Sequence, residues 1–221
     1  THHSPFSRIK SIHADITEDE ARARGYIKGN LKKEEVFKLL KRTTEPCTVY
    51  KKQKFDKDDL RDITGFDFIS WVKGEMQLML REEVARAILI GDGRSTSDDD
   101  HIPEDHIRPI AKDAALYNTK VTITKGANSG ETAKKMIDDI VRARKFYKGS
   151  GNPIFFTTED LLTEMLLLDD GIGRRLYKSE AEVATALRVK EIQTVQVMEG
   201  GRIDGLELAG IIVNMNDYNI G

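Results

Sequence analysis

Residues 66–94, FDFISWVKGEMQLMLREEVARAILIGDGR, constrain the fold more than any other stretch, because they read as one unbroken helix closed by a glycine turn. Ile69, Val72, Met76, Met79, Leu80, Val84, Ala87 and Ile88 recur at steps of three and four and so share one helical face. Trp71, Leu78, Ala85 and Leu89 form a second, thinner stripe. A helix apolar on two sides is normally clamped between other elements. Glu82 and Arg86 stand four apart in the favourable order for a surface ion pair. Gly91 follows the last periodic residue, where a helix terminator belongs. A helix over 66–90 would be about 37 Å long, roughly twice the mean helix. A compact chain of this size has a radius of gyration of about 17 Å. The helix would cross nearly the whole molecule as a spine, and a spine serves architecture more often than chemistry.

The rest of the chain must build around that spine. Its 221 residues suffice for one substantial core or two small ones. The chain is 33% charged and 39% hydrophobic with a formal net charge of −2. It therefore reads as water-soluble rather than as a polybasic nucleic-acid or membrane protein. No apolar run reaches the roughly eighteen residues of a membrane span, and the N-terminus has no signal-peptide pattern. The single Cys47 excludes an internal disulfide framework and a cysteine-rich zinc site, and fits a reducing compartment. Position 1 is Thr, so the chain reads as processed, engineered or a fragment, and His2 and His3 decide nothing.

Along the chain, residues 5–17 alternate loosely at Ile9, Ile12 and Ile16, as a strand would. Residues 18–35 are highly charged, with few apolar side chains, and should project into solvent. Residues 36–56 hold two strand-forming runs around Thr-Thr-Glu-Pro, so 5–17 and 36–56 can pair across the charged excursion. After the spine, residues 107–124 are a loop ending in a short strand from Val121 to Thr124. Ser129 is the expected N-cap of a helix reaching about Tyr147, with Met136, Ile140, Val141 and Arg144 in helical spacing. NPIFFT reads as a short buried strand, and Thr157 with Asp160 as a capping-box start for the helix LLTEMLLL. DDGIGRRLY turns the chain, residues 180–187 are a short helix, and EIQTVQVM and LAGIIVNM are strands. This order predicts an α+β fold rather than regular βαβ repeats.

Chemical signals are sparse. GDGR at 91–94 follows a helix rather than opening one, so a C-cap turn is favoured over a phosphate site. GANSGET at 126–132 lacks the Gly-Lys-Ser/Thr ending of a phosphate loop and reads as a helix-opening loop. Asp98, Asp99, Asp100, His101, Asp105 and His106 form the densest cluster of metal-ligating types, with Asp99, His101, Asp105 and His106 the candidate ligands. No rigid element scaffolds that loop, which favours a solvated acidic loop. His13 stands alone, Cys47 has no histidine placed beside it, and Lys28, Lys32, Lys33, Lys38 and Lys41 read as a solvated face. No nucleophile, base and oxyanion arrangement is visible, so neither a catalytic residue nor a cofactor is expected.

The run REEVARAILIGDGR behind a long amphipathic helix resembles the spine helix and glycine turn of tailed-phage major capsid proteins, the Hong Kong ninety-seven type. NPIFFTTEDLLTEMLLLDDGIGRRLY is similar to the helix–strand–helix core of that family's axial domain, and the likeness spans most of residues 8–215. The resemblance implies an N-terminal strand segment at 1–17, an extended loop at 18–36 that reaches over a neighbour, a peripheral domain at 37–125 containing the spine at 66–90, and an axial domain at 126–221. It also implies a truncated or proteolysed form, because the family's long N-terminal arm and its C-terminal return to the peripheral domain have no counterpart here. Some members crosslink a loop lysine to a neighbour's asparagine. Lys28, Lys32 and Lys33 lie in the matching loop, but the segment that would supply the asparagine has no match.

The function so implied is a structural protein that tiles with copies of itself into hexamers and pentamers, forming an icosahedral phage or prophage head. Scaffold or a maturation protease are its accessory partners. It would enclose DNA without sequence-specific binding, need no cofactor or membrane, and reside in the virion after assembly in the bacterial cytoplasm. Two alternatives compete with it. An encapsulin-like nanocompartment shell keeps the fold and changes the cargo. A metal-dependent enzyme would use the 98–106 cluster.

Overall fold

A computed structural model describes residues 2–3, 9–14, 39–44, 47–52, 54 and 68–220, and its architecture is mixed α+β. The strands β1 (His2–His3), β2 (Ile9–Ala14) and β3 (Leu39–Thr44) come first. The helices α1 (Phe68–Leu89) and α2 (Ser129–Ala143) follow. Strand β4 (Ile154–Thr157) then leads into α3 (Glu159–Leu166) and α4 (Glu180–Leu187). The chain closes with β5 (Ile192–Thr194), β6 (Arg202–Ile203), β7 (Leu206–Glu207), β8 (Gly210–Val213) and β9 (Asn219–Ile220).

The spine is one helix of 22 residues, about 33 Å long. It ends as the glycine predicts: the Arg86 carbonyl accepts the N–H groups of both Ile90 and Gly91 at 2.9 Å, and Gly91 sits at φ +89°. The expected Glu82–Arg86 pair does not form. Arg86 reaches Glu83 at 3.8 Å instead, one residue closer along the helix.

β2 and β3 pair antiparallel from Ile9↔Thr44 to Ala14↔Leu39, which joins the two segments expected to meet across the charged excursion. The excursion itself, residues 18–36, lies outside the described residues, as do residues 66 and 67 at the start of the expected spine. Of the described residues in 47–56, none is a strand.

The core is organised by a three-stranded sheet in the order β5-β4-β8, with β4 parallel to β5 and antiparallel to β8. Alternation along these strands separates two apolar layers. Phe155 and Ile212 face one way, into a cluster with Met136, Ile137, Met165, Val183 and Leu187 from α2, α3 and α4. Phe156, Ile211 and Val213 face the other way, into a cluster with Leu89 at the end of the spine and with Ala111, Val197 and Met198. A third cluster, Ala87, Ile88, Ile102 and Ile107, clamps the spine's last turn to the loop that follows it. Among the described residues the spine is buried at its C-terminal end, at Ala87, Ile88 and Leu89.

Several local expectations are corrected. Asn128, not Ser129, caps α2: its Oδ1 accepts the Glu131 N–H at 2.8 Å, and Ser129 becomes the first helical residue. That helix ends at Ala143 and tightens into a 3₁₀ turn at Arg144–Phe146, short of Tyr147. Thr157 does not open α3. It ends β4, fully buried, and donates its hydroxyl to the Ala209 carbonyl at 2.9 Å, while Thr158 takes the cap position without a side-chain bond. EIQTVQVM is a strand only over Ile192–Thr194 and continues as a 3₁₀ turn at Gln196–Met198. Val121 to Thr124 form no strand: that stretch is tied to its neighbours by side chains rather than by a ladder. Among the described residues, no helix is long and apolar enough to cross a membrane.

Candidate functional site

The glycine turn after the spine is built as a lock. Asp92 buries its carboxylate, 4% exposed, and accepts the Ile102 N–H at 2.6 Å and the Arg94 N–H at 3.2 Å. Arg94 sends its guanidinium to Glu83 on the spine at 3.1 Å and to the Asp100 carbonyl at 3.1 Å. GDGR therefore closes the loop of residues 92–102 against α1. The Asp92 and Arg94 side chains and the Gly91 and Arg94 amides are occupied by the protein itself, which agrees with a helix terminator.

The acidic loop carried by that lock does not converge on a metal site. Asp98 accepts the Ser95 N–H at its Oδ2, and its carbonyl lies 2.9 Å from Nδ1 of His101. Asp99 and Asp100 face solvent. His106 lies 3.9 Å from Asp105, its neighbour in sequence. Among the described residues no group of three or more His, Cys, Asp and Glu could hold a metal ion. The hydrogen bonds serve the turn. Cys47 packs beside the third cluster, and burial, with Asp105 adding to it, pushes its thiol up and away from the nucleophilic thiolate. Lys28, Lys32, Lys33 and Lys38 lie outside the described residues.

Exposed apolar side chains mark the spine and the turn between α3 and α4. On the spine Ile69, Trp71, Leu78 and Met79 are 67%, 50%, 52% and 44% exposed, while Val72, Met76, Leu80, Val84 and Ala85 are half-buried. A helix apolar on two sides is expected to be clamped between other elements; of the second stripe, Leu89 is buried, Ala85 is half-buried, and Trp71 and Leu78 are exposed. In the turn between α3 and α4, Ile172 is 81% exposed. That turn is rigidly built. Asp170 Oδ1 accepts the N–H groups of Ile172 and Arg174 at 3.0 and 2.9 Å, and its Oδ2 accepts Arg174 Nε at 3.0 Å. The Arg174 and Ile172 amides hold the Asp170 carboxyl below the usual carboxylate range. Asp169 pairs with Arg175 at 3.0 Å across the base of the turn.

A groove of about 1360 Å³ lies between residues 113–125, α2 and the stretch from β6 to β8. Met136, Ile140, Phe155, Leu208 and Ile212 give it an apolar floor. At one end Arg144 stacks 4.5 Å over the Tyr147 ring and donates to the Arg188 carbonyl at 3.1 Å. Burial first, then Asp217, pushes the Tyr147 hydroxyl up. The opposite rim is spanned by two ion pairs, Lys120–Asp204 and Lys125–Glu207, each 2.6 Å long. Partners 84 and 82 residues apart leave no local signal, and the sequence reading missed both pairs and the groove. No protein-family model matches this chain, and no curated protein matches it significantly.

Proposed function

We propose that this chain is a structural shell subunit of the tailed-phage capsid type, which assembles with copies of itself into a closed icosahedral head around DNA. One observation carries the reading: an unbroken 22-residue helix, fully buried among the described residues in its last turn alone, leaves Ile69 and Met79 on one face and Trp71 and Leu78 on the other substantially exposed. Isolated surface hydrophobes are ordinary, but Trp71 and Leu78, seven residues apart on one face of a rigid rod, fit an interface with a further partner. The antiparallel pairing of β2 with β3 supports the same reading, because it joins the two segments that flank residues 15–38 in the sequence.

In this assignment the spine, with β2 and β3, belongs to a peripheral domain, and the β5-β4-β8 sheet with α2, α3 and α4 forms an axial domain. The mechanism is geometric. A rigid edge sets the angle between neighbours, and heterologous contacts that close into rings build the hexamers and pentamers. The chain would act without a cofactor, with scaffold or a maturation protease as accessory partners.

The test is to express the chain alone and with its candidate accessory genes, and to examine it by electron microscopy and sedimentation. Closed particles of uniform size are expected. Monomers under every condition would rule the proposal out. Nucleic acid inside the particles distinguishes a phage head from a nanocompartment filled with protein.

A further inference from the structure

The rim of the groove is a segment suspended between two fixed points. Upstream, Asn118 gives its side-chain amide to the Ile110 and Ala111 carbonyls at 2.9 and 3.0 Å, and its N–H to the Ala114 carbonyl at 2.9 Å. Downstream, the Gly126 N–H binds Thr132 Oγ1 at 2.9 Å and the Ala127 N–H binds Glu131 Oε2 at 2.8 Å, so that end is part of the α2 cap. Between these anchors, no N–H of residues 119–125 donates a backbone hydrogen bond among the described residues. The segment is held by Ile123, which packs on the core, by a long contact from Lys135 Nζ to the Lys125 carbonyl at 3.5 Å, and by its two terminal lysines.

Those lysines meet a prebuilt receiver. β6 and β7 form a hairpin whose turn residues Asp204 and Gly205 sit at φ +52° and +79°, the left-handed pair that a tight hairpin requires. The hairpin holds out Asp204 at its tip and Glu207 on its strand, and these take Lys120 and Lys125.

We propose that residues 119–125 are a strap over the apolar groove, latched by the Lys120–Asp204 and Lys125–Glu207 pairs, which swings open when the latches are screened or removed. All four latch side chains are substantially exposed, at 49%, 70%, 74% and 60% in the order Lys120, Asp204, Lys125, Glu207. Exposed pairs hold weakly, and the screening length falls from about 10 Å at 0.1 M salt to about 3 Å at 1 M. Opening breaks no ladder; it costs the latches and the burial of Ile123. The Lys125 hydrogen bond holds the Glu207 carboxyl below its usual range, as a formed latch requires. Alternation in the segment leaves Val121 45% exposed on the outside and turns Ile123 inward, so opening uncovers the groove floor.

The test places a single thiol under the strap, Ile123→Cys in a Cys47→Ser background, and follows its labelling by a small uncharged reagent. Raising salt from about 50 mM to 1 M should speed labelling about three- to tenfold, the range that two weak surface pairs can supply. Lys120→Met with Lys125→Met should label fast already at low salt and lose the salt dependence. Exchanging the charges of the second latch, Lys125→Glu with Glu207→Lys, should restore protection. A second readout leaves the core untouched: backbone order parameters of Val121, Thr122, Ile123 and Thr124 should fall in the double lysine variant and not in Lys134→Met. Equal labelling rates in all backgrounds and salts, or unchanged order parameters, would overturn the latch.

Discussion

The Asp92 carboxylate accepts the Ile102 N–H at 2.6 Å, across ten residues of exposed acidic loop. Asp92 thereby sets where the loop rejoins the core, because Ile102 is buried with Ala87, Ile88 and Ile107 against the end of the spine. Removing the acceptor leaves a largely desolvated N–H unpaired. Asp92→Ala should lower stability by about 1–3 kcal/mol, read as a shift in the urea midpoint at unchanged slope. Asp92→Asn keeps an acceptor but loses the Arg94 charge pair, and should cost less. Equal midpoints for wild type and Asp92→Ala would mean that the lock contributes nothing.

Asp170 makes the turn at Ile172 sensitive to acid. Its carboxyl is held below the ordinary range by the Arg174 amide first and the Ile172 amide second, so its folded value lies below its unfolded one. A depressed carboxylate contributes stability that is fully present above the ordinary value, about 3.9 for Asp. That contribution fades as pH falls through the folded value. The stability gap between wild type and Asp170→Asn should therefore be widest at neutral pH and narrow as pH falls below the ordinary Asp value. Thermal unfolding of both proteins across that range measures it. A gap that stays constant with pH would place the effect elsewhere.

What the sequence made legible follows from locality. The periodicity of 66–90 and Gly91 describe one helix, seen over Phe68–Leu89 among the described residues, and its terminator, since each depends on residues within a turn or two. The β2–β3 pairing was readable because a charged stretch separates two runs of strand-forming residues. The α2 cap was missed by one position because Asn128 and Ser129 are both good caps, and only the Glu131 N–H, which donates to Asn128 Oδ1, chooses between them. Val121–Thr124 satisfies a strand pattern, yet Lys120 and Lys125 pin the segment to the hairpin without a ladder. A propensity for strand cannot specify which edge is available. Composition raised the acidic loop as a candidate ligand cluster, but spacing alone cannot say whether carboxylates converge or diverge. The groove depends on pairs more than eighty residues apart and left no trace to read.

Gly210 opens β8 directly beneath the Phe155 ring. A methyl there would come inside van der Waals contact with that ring and within 2.9 Å of the Phe156 carbonyl. Phe155 is 1% exposed and central to the helix-side cluster, so it cannot move aside freely. Gly210→Ala should cost about 1–3 kcal/mol through overpacking. Trimming the ring with Phe155→Leu should relieve part of that cost, giving a favourable coupling of at least about 0.5 kcal/mol in a double-mutant cycle. Strict additivity would show that the carbonyl contact, not the ring, sets the penalty.

Substitutions on the spine can separate folding from the proposed assembly. Trp71 and Leu78 are about half exposed, and the helix takes its hold on the core from Ala87, Ile88 and Leu89. Trp71→Ser with Leu78→Ser removes apolar surface that the monomer does not bury well. Each change should move the unfolding midpoint by little, about 0.5 kcal/mol or less. If the proposed shell uses this face, the same pair should abolish particles or leave small oligomers in sedimentation while circular dichroism stays native. Leu89→Ala is the converse: it empties a buried position beside Met198 and Ile211 and should cost about 2–5 kcal/mol in the monomer. A double serine variant that still forms closed particles would show that the exposed stripe is not the contact. A variant that loses helix content would show that the stripe is covered within the chain itself.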